Sequence, residues 1–218
     1  MDEFALIRHF FAGLTAARRD VVLGIGDDAA LLAVPAGYTL AVTTDTLIAG
    51  RHFPEAATAF DIGYKSLAVN LSDLAAMAAA PRWVTLALTL PAVEPQWLQG
   101  FAAGFKTLAD AEGVALVGGD TTRGPLAISV TAMGVVETGT ALRRQGARSG
   151  DCIAVTGTLG DAALGLRLSQ DPSPMPTRES SLAGEVWAAG LDRHASGNDA
   201  LFLLGRLHQP QPRIDVDV

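Results

Sequence analysis

Two kinds of apolar segment take turns along the first two thirds of the chain, and this alternation limits it to a layered fold of helix and sheet. Residues 4–13 (FALIRHFFAG) carry apolar side chains at helical spacing and read as a short amphipathic helix. Residues 21–32 (VVLGIGDDAALL) break around Gly24 and Gly26 and resume as a strand, and residues 38–48 (YTLAVTTDTLI) read as one long strand. The clearest helix is 61–80 (DIGYKSLAVNLSDLAAMAAA), rich in Ala and Leu and stopped at Pro81. Residues 83–90 (WVTLALTL) alternate between flanking prolines and read as a strand. A helix over 95–112 starts at Pro95, and strands at 114–118 and 126–136 flank a Gly/Thr loop. The order α-β-β-α-β-α-β-β describes a mixed sheet with helices on one face, an α/β chain of the α+β kind.

The composition shifts near 139–150 (GTALRRQGARSG), which reads as a connector. The expected organisation is a domain at 1–138, the connector, and the start of an incomplete α/β C-terminal domain at 151–218. Within that last part a strand is expected at 151–156 and a helix at 160–169. A Pro/Ser-rich loop follows at 170–182, then helix in two pieces over 183–206.

The aspartates carry the chemical information. Asp27 and Asp28 follow Gly24-Ile25-Gly26. Asp45 lies within a strand as Thr43-Thr44-Asp45-Thr46, Asp73 within an apolar helix, and Asp120 at a strand end as Gly118-Gly119-Asp120. Asp is disfavoured inside helices and strands, so each position works against its local propensity. Singly, each has a plain explanation as a turn, cap or exposed residue. Together they point to convergence on one site, where ionised carboxylates repel unless a hard divalent cation joins them. Thr43 and Thr44 would add neutral oxygen ligands. Ser66, Asn70, Asp73 and Met77 share one helix face, which is expected to look at the site rather than at packed core. The carboxylates are too far apart in sequence to form a contiguous calcium loop.

Other residues carry weaker indications. Gly118-Gly119 would let backbone approach a phosphate, although paired glycines are also common in turns. Arg143 and Arg144 are either a solvated linker or a grip on a nucleotide phosphate. His52 is either a loop residue or a substrate contact. Trp83 and Trp97 read as core or interface residues, and Cys152 as a small buried hydrophobe.

With 16 basic and 23 acidic residues the formal charge is −7, a poor starting point for binding nucleic acid. No apolar run approaches the length of a membrane span. A lone cysteine forms no disulfide within the chain, and the N-terminal stretch has no secretory pattern, so a cytoplasmic home is expected.

Taken together, GIGDDAALL, VTTDTLIAGRHF, DIGYKSLAVNLSDLAAMAAAPRW, LVGGDTTRG and LRRQGARSGDCIAVTGTLGDAALGL resemble the thiamine-monophosphate kinases, in the correct order from about residue 3 to residue 168. These belong to the wider aminoimidazole-ribonucleotide-synthetase superfamily. The resemblance implies a magnesium-dependent transfer from ATP to thiamine monophosphate, the last step of a thiamine diphosphate pathway. It also implies a homodimer formed through the strands of the N-terminal domain. By motif, it assigns several magnesium ions to Asp28, Thr43, Thr44, Asp45, Asp73 and Asp120. ATP falls to Gly119, Asp120 and Arg144, with an aromatic contact near Phe105, and the substrate to His52. Asp27 belongs to the same motif without an assigned role.

The family's second domain carries an Ile-Asp-Val-Ser-Asp-Gly-Leu motif, whereas this sequence closes on Ile214-Asp215-Val216-Asp217-Val218. A silent dimerisation and nucleotide-binding module, or another ATP-dependent enzyme of the superfamily, are the alternative expectations.

Overall fold

The computed structural model describes residues 3–155, 158–170 and 205–212. Its elements are α1 (Glu3–Phe10), β1 (Val21–Leu23), β2 (Leu31–Leu32), β3 (Tyr38–Ile48), α2 (Ala59–Ala76), β4 (Ala80–Leu90), α3 (Pro95–Ala111), β5 (Ala115–Arg123), β6 (Ala127–Glu137) and α4 (Asp161–Gln170). The chain divides into two compact units, one centred on Met1–Ala147 and one on Arg148–Pro210.

The first unit is built on a four-stranded sheet in the order β3-β6-β4-β5. β6 runs antiparallel to both of its neighbours, and β5 runs parallel to β4. The sheet is therefore mixed. α2 and α3 cover one face. Their apolar stripes, including Leu67, Leu71, Leu74, Phe101, Phe105 and Leu108, pack with Val84, Leu86, Ile128 and Val130 into the main core. On the opposite face the β1–β2 hairpin covers a smaller cluster of Trp83, Ala115, Val117 and Val135. Trp83 is fully buried, and Trp97 stacks on Phe101 with ring centroids 5.3 Å apart.

Three boundaries depart from the sequence reading, each for a physical reason. The helix expected over 61–80 starts earlier and stops earlier. Thr58 caps it, accepting from the Asp61 amide at 3.1 Å and donating to the Asp61 carboxylate at 2.8 Å. At the other end Ala78 takes a φ of 55°, and Pro81 lies in β4. Pro81 is tolerated because β5 pairs with β4 only from Trp83 onward and the pairing with β6 is irregular between Pro81 and Trp83. The segment at 21–32 forms two short paired strands instead of one. Gly119-Asp120-Thr121-Thr122, beyond the expected strand end at Gly118, belongs to β5, because pairing with β4 continues to Arg123.

In the second unit residues 151–155 form no strand, and Cys152 is exposed, so the expected strand and the buried thiol are both corrected. α4 carries Asp161 in its first turn, 3.7 Å from Arg206. The helices expected over 183–206 lie almost wholly outside the described residues, which include only a helical turn at 205–208.

A polar clamp fixes the segment ahead of β1. Asp20 accepts from Arg18 Nε at 2.9 Å, Arg18 Nη2 at 2.8 Å and Trp83 Nε1 at 3.3 Å. Arg18 also donates through Nη1 to the Gly113 carbonyl. The Arg18 hydrogen bond is the main cause of a lowered Asp20 pKa. A carboxyl depressed in the folded state stabilises the fold above its ordinary pKa, and that contribution fades as pH falls through the folded value. Asp20→Asn is expected to cost about 1–3 kcal/mol at neutral pH by leaving Arg18 without its ionic partner. The gap from the parent chain should narrow below about pH 4. Urea unfolding at both pH values checks this, and equal gaps would remove the ionised Asp20 from the account.

Candidate functional site at the β3–α2 seam and the β5 rim

Alternation along β3 decides which of its side chains meet α2. Leu47 is buried in the core, and Asp45 and Thr43, two and four positions before it, lie half-buried on the same face of the strand. Thr43 Oγ1 donates to Asp73 Oδ2 at 2.8 Å. The Asp45 amide donates to Asn70 Oδ1 at 3.1 Å, and Asn70 Nδ2 donates to the Ser66 carbonyl at 3.1 Å. Asn70 is fully buried with both ends of its amide engaged, so it fixes the spacing between the helix and the strand. The carboxylates of Asp45 and Asp73 remain open to solvent in part or in full.

The polar helix face thus splits in two. Asn70 and Asp73 reach β3, whereas Ser66 is fully buried and donates to the Gly63 carbonyl of its own helix at 2.9 Å. Thr44 lies on the opposite side of the sheet from Thr43, where its hydroxyl pairs with Thr131 at 2.9 Å. The two hydroxyls therefore face opposite sides of the sheet, whereas the sequence reading placed both at one site.

A second group surrounds a cavity of about 290 Å³. Its floor is apolar, from Ile7, Phe11, Leu86 and Leu116, and its rim carries Asp27, Asp28, Gly119 and Asp120. The Asp28 amide donates to Asp27 Oδ1 at 2.8 Å, which shapes the loop. Gly119 has a φ of 154°, and a Cβ there would stand 1.8 Å from the Leu86 carbonyl oxygen. Only glycine lets β5 approach β4 so closely at that rim.

The sheet order keeps the two groups apart. β3 and β5 are opposite edges, three strand spacings or roughly 14 Å from each other. Among the described residues no three of His, Cys, Asp or Glu stand together at metal-binding spacing. Convergence of Asp28, Asp45, Asp73 and Asp120 within one copy of the chain is therefore corrected to two separate groups. The seam itself suits magnesium. Its donors are carboxylate and hydroxyl oxygens, and among the described residues neither Asp45 nor Asp73 has a basic ion-pair partner.

The remaining candidates fall elsewhere. His52 lies in the turn after β3, where its Nδ1 accepts from the Ile48 amide at 3.0 Å. Arg144 is exposed after β6. Phe105 is fully buried in α3 and stacks on Phe101, so it offers no ring face to a nucleotide. Asp215 and Asp217 lie outside the described residues. The sequence reading missed Lys65, whose Nζ donates to the His52 carbonyl at 3.0 Å. The one basic residue of α2 was the available indication.

A family model described as AIR synthase related protein, N-terminal domain, matches residues 26–136, about half of the chain. The chain belongs to the AIR synthase related family. The matched AIR synthase related segment holds β3, α2 and β5, and with them every aspartate of both groups. The chain is 46% identical over 212 residues to a thiamine-monophosphate kinase of Escherichia coli strain K12, covering 97% of this chain and 59% of that protein. It thus spans about three fifths of that relative's length. A crystal structure of thiamine-monophosphate kinase from Stenotrophomonas maltophilia K279a is similar at a TM-score of 0.79 and 51% identity, covering 98% of this chain and 63% of that one. A structure of AaThiL complexed with AMPPCP and TMP is similar at a TM-score of 0.68 and 29% identity, covering 84% and 52%.

Proposed function

We propose that the chain is the N-terminal part of a thiamine-monophosphate kinase, transferring a phosphoryl group from ATP to thiamine monophosphate. The observation that carries this is 46% identity to the Escherichia coli enzyme together with the Thr43–Asp73 and Asp45–Asn70 pairings at the seam. The AaThiL complex with AMPPCP and TMP supports the pairing of an adenine nucleotide with this acceptor.

In this reading Asp45 and Asp73 hold magnesium, with Thr43 beside them, and Asp28 and Asp120 do so at the rim. Bound magnesium supplies charge neutralisation between the two phosphate groups. Asn70 holds the Asp45 backbone so that the carboxylate is in place before substrate arrives. Gly119 brings the β5 backbone close to the nucleotide phosphates, Arg144 contributes a fixed positive charge, and His52 contacts the acceptor. Thr44 keeps only its backbone or outer-face hydroxyl for this chemistry. No protein nucleophile is required, because the acceptor phosphate is itself one.

The proposal includes a homodimer through the strands. On the side of the sheet away from the helices, β3 exposes Tyr38, Leu40, Val42 and Ile48, with Val42 57% exposed. It is also an edge strand. A second copy beside β3 is a direct way to complete a donor set divided between opposite edges. Among the described residues no helix is long and apolar enough to cross a membrane. A cytoplasmic location accords with this reading.

The test is incubation of the chain with Mg-ATP and thiamine monophosphate, with thiamine diphosphate followed as its fluorescent oxidation product. Magnesium-dependent product is expected. A folded dimer that binds Mg-ATP and makes none would leave the family in place and withdraw turnover from this chain.

A further inference from the structure

α2 presents Lys65, Asn70 and Asp73 in order along the seam. Asp73 meets Thr43, Asn70 meets the Asp45 backbone, and Lys65 reaches past the end of β3 to the His52 carbonyl, 3.0 Å away. Lys65 and Asp73 are eight positions apart, about 12 Å along the helix axis. The seam therefore has a carboxylate end and an ammonium end.

Lys65 is only partly exposed, and among the described residues no carboxylate stands within ion-pair distance of it. Burial pushes its pKa down, with no opposing ionic contact to raise it. Keeping an ammonium in such a place costs free energy. One of its three donors is spent on the His52 carbonyl, which leaves two.

The turn that Lys65 holds is tightly bonded. The His52 amide donates to the Ile48 carbonyl at 3.0 Å, the Gly50 amide donates to the Phe53 carbonyl at 3.0 Å, and Phe53 is buried. His52 Nδ1 accepts from the Ile48 amide at 3.0 Å, so a neutral His52 carries its proton on Nε2. The outward atom of the ring is then a donor.

We infer that Lys65 is a positioning residue for the phosphorylated acceptor. It holds the turn so that His52 presents Nε2–H, and its spare donors join that group as an anion-accepting end opposite Asp45 and Asp73. The inference rests on the kinase reading only for the identity of the acceptor. The Lys65–His52 arrangement stands independently of it.

Long-range proton–nitrogen spectra of the 15N-labelled full chain, well above the ordinary histidine pKa, read the tautomer directly. The parent chain is expected to show His52 with its proton on Nε2. Lys65→Met is expected to give a mixture of tautomers, with the His9 and His208 signals unchanged, and Lys65→Arg to restore the single form. Inorganic phosphate is the second probe. It should shift the His52 ring signal saturably, with affinity roughly tenfold or more weaker in Lys65→Met. Lys65→Gln separates the two roles, keeping a donor for the carbonyl but no charge. It should hold the tautomer and lose the phosphate response. A single His52 tautomer and an undiminished phosphate shift in both Lys65→Met and Lys65→Gln would overturn the inference. Absence of kinase turnover would leave both readouts in place, so the two failures are distinguishable.

Discussion

On the proposed kinase reading, Asp73→Asn is expected to lower thiamine diphosphate formation by about a thousandfold while leaving the fold intact. Asp73 is exposed on α2, so its replacement empties no core volume. Asn keeps a side-chain oxygen that accepts from Thr43 Oγ1, and the contact of 2.8 Å survives. Only the negative charge is removed. Metal-assisted charge stabilisation amounts to several kcal/mol, and each 1.36 kcal/mol is a factor of ten in rate. Stability should move by less than about 0.5 kcal/mol, as for a surface substitution away from special features. Part of the lost rate should return at raised magnesium concentration, because a weakened site still fills by mass action. Turnover of Asp73→Asn within a few fold of the parent chain would remove the seam from the mechanism.

The individual segments of this unit were largely legible, and their arrangement was not. β3 stands at 38–48 and α3 at 95–111, close to where the apolar periodicity puts them. Periodicity reports which face of a segment is buried, and it says nothing about which strand lies beside which. The order β3-β6-β4-β5 follows from long-range pairing, so the division of Asp45 from Asp120 was hidden. The same limit hid the strand character of Gly119–Thr122, which depends on a parallel neighbour. The opposite facing of Thr43 and Thr44 was available in principle, since adjacent strand residues alternate. Ser66 shows the reverse problem. A polar residue at the right helical spacing faced the core, because it could satisfy itself on the Gly63 carbonyl one turn earlier.

Gly104→Ala is expected to destabilise the first unit by about 2 kcal/mol or more, although helix propensity alone would favour Ala by about 1 kcal/mol. α2 and α3 touch backbone to backbone. A Cβ on Gly104 would stand 1.9 Å from the Phe60 carbonyl oxygen, and one on Gly63 would stand 2.1 Å from the Phe101 carbonyl oxygen. No rotamer change relieves a clash with backbone, so the helices must separate. Phe101 and Phe105, both fully buried, would lose contacts as α3 withdrew. Gly100 is the control, because its added Cβ meets the Ala59 side chain at 3.2 Å and no backbone atom closer than 3.7 Å. Gly100→Ala should be near neutral. The double variant of Gly63 and Gly104 tests the mechanism further. One separation of the helices relieves both clashes, so its cost should fall short of the two single costs added together. Denaturant midpoints of the four variants against the parent chain decide the matter, and a neutral or stabilising Gly104→Ala would show that propensity outweighs the close approach. The effect should extend to the site. α2 holds Asp45 through Asn70, so a displaced α2 should loosen the carboxylate pair before the sheet itself unfolds.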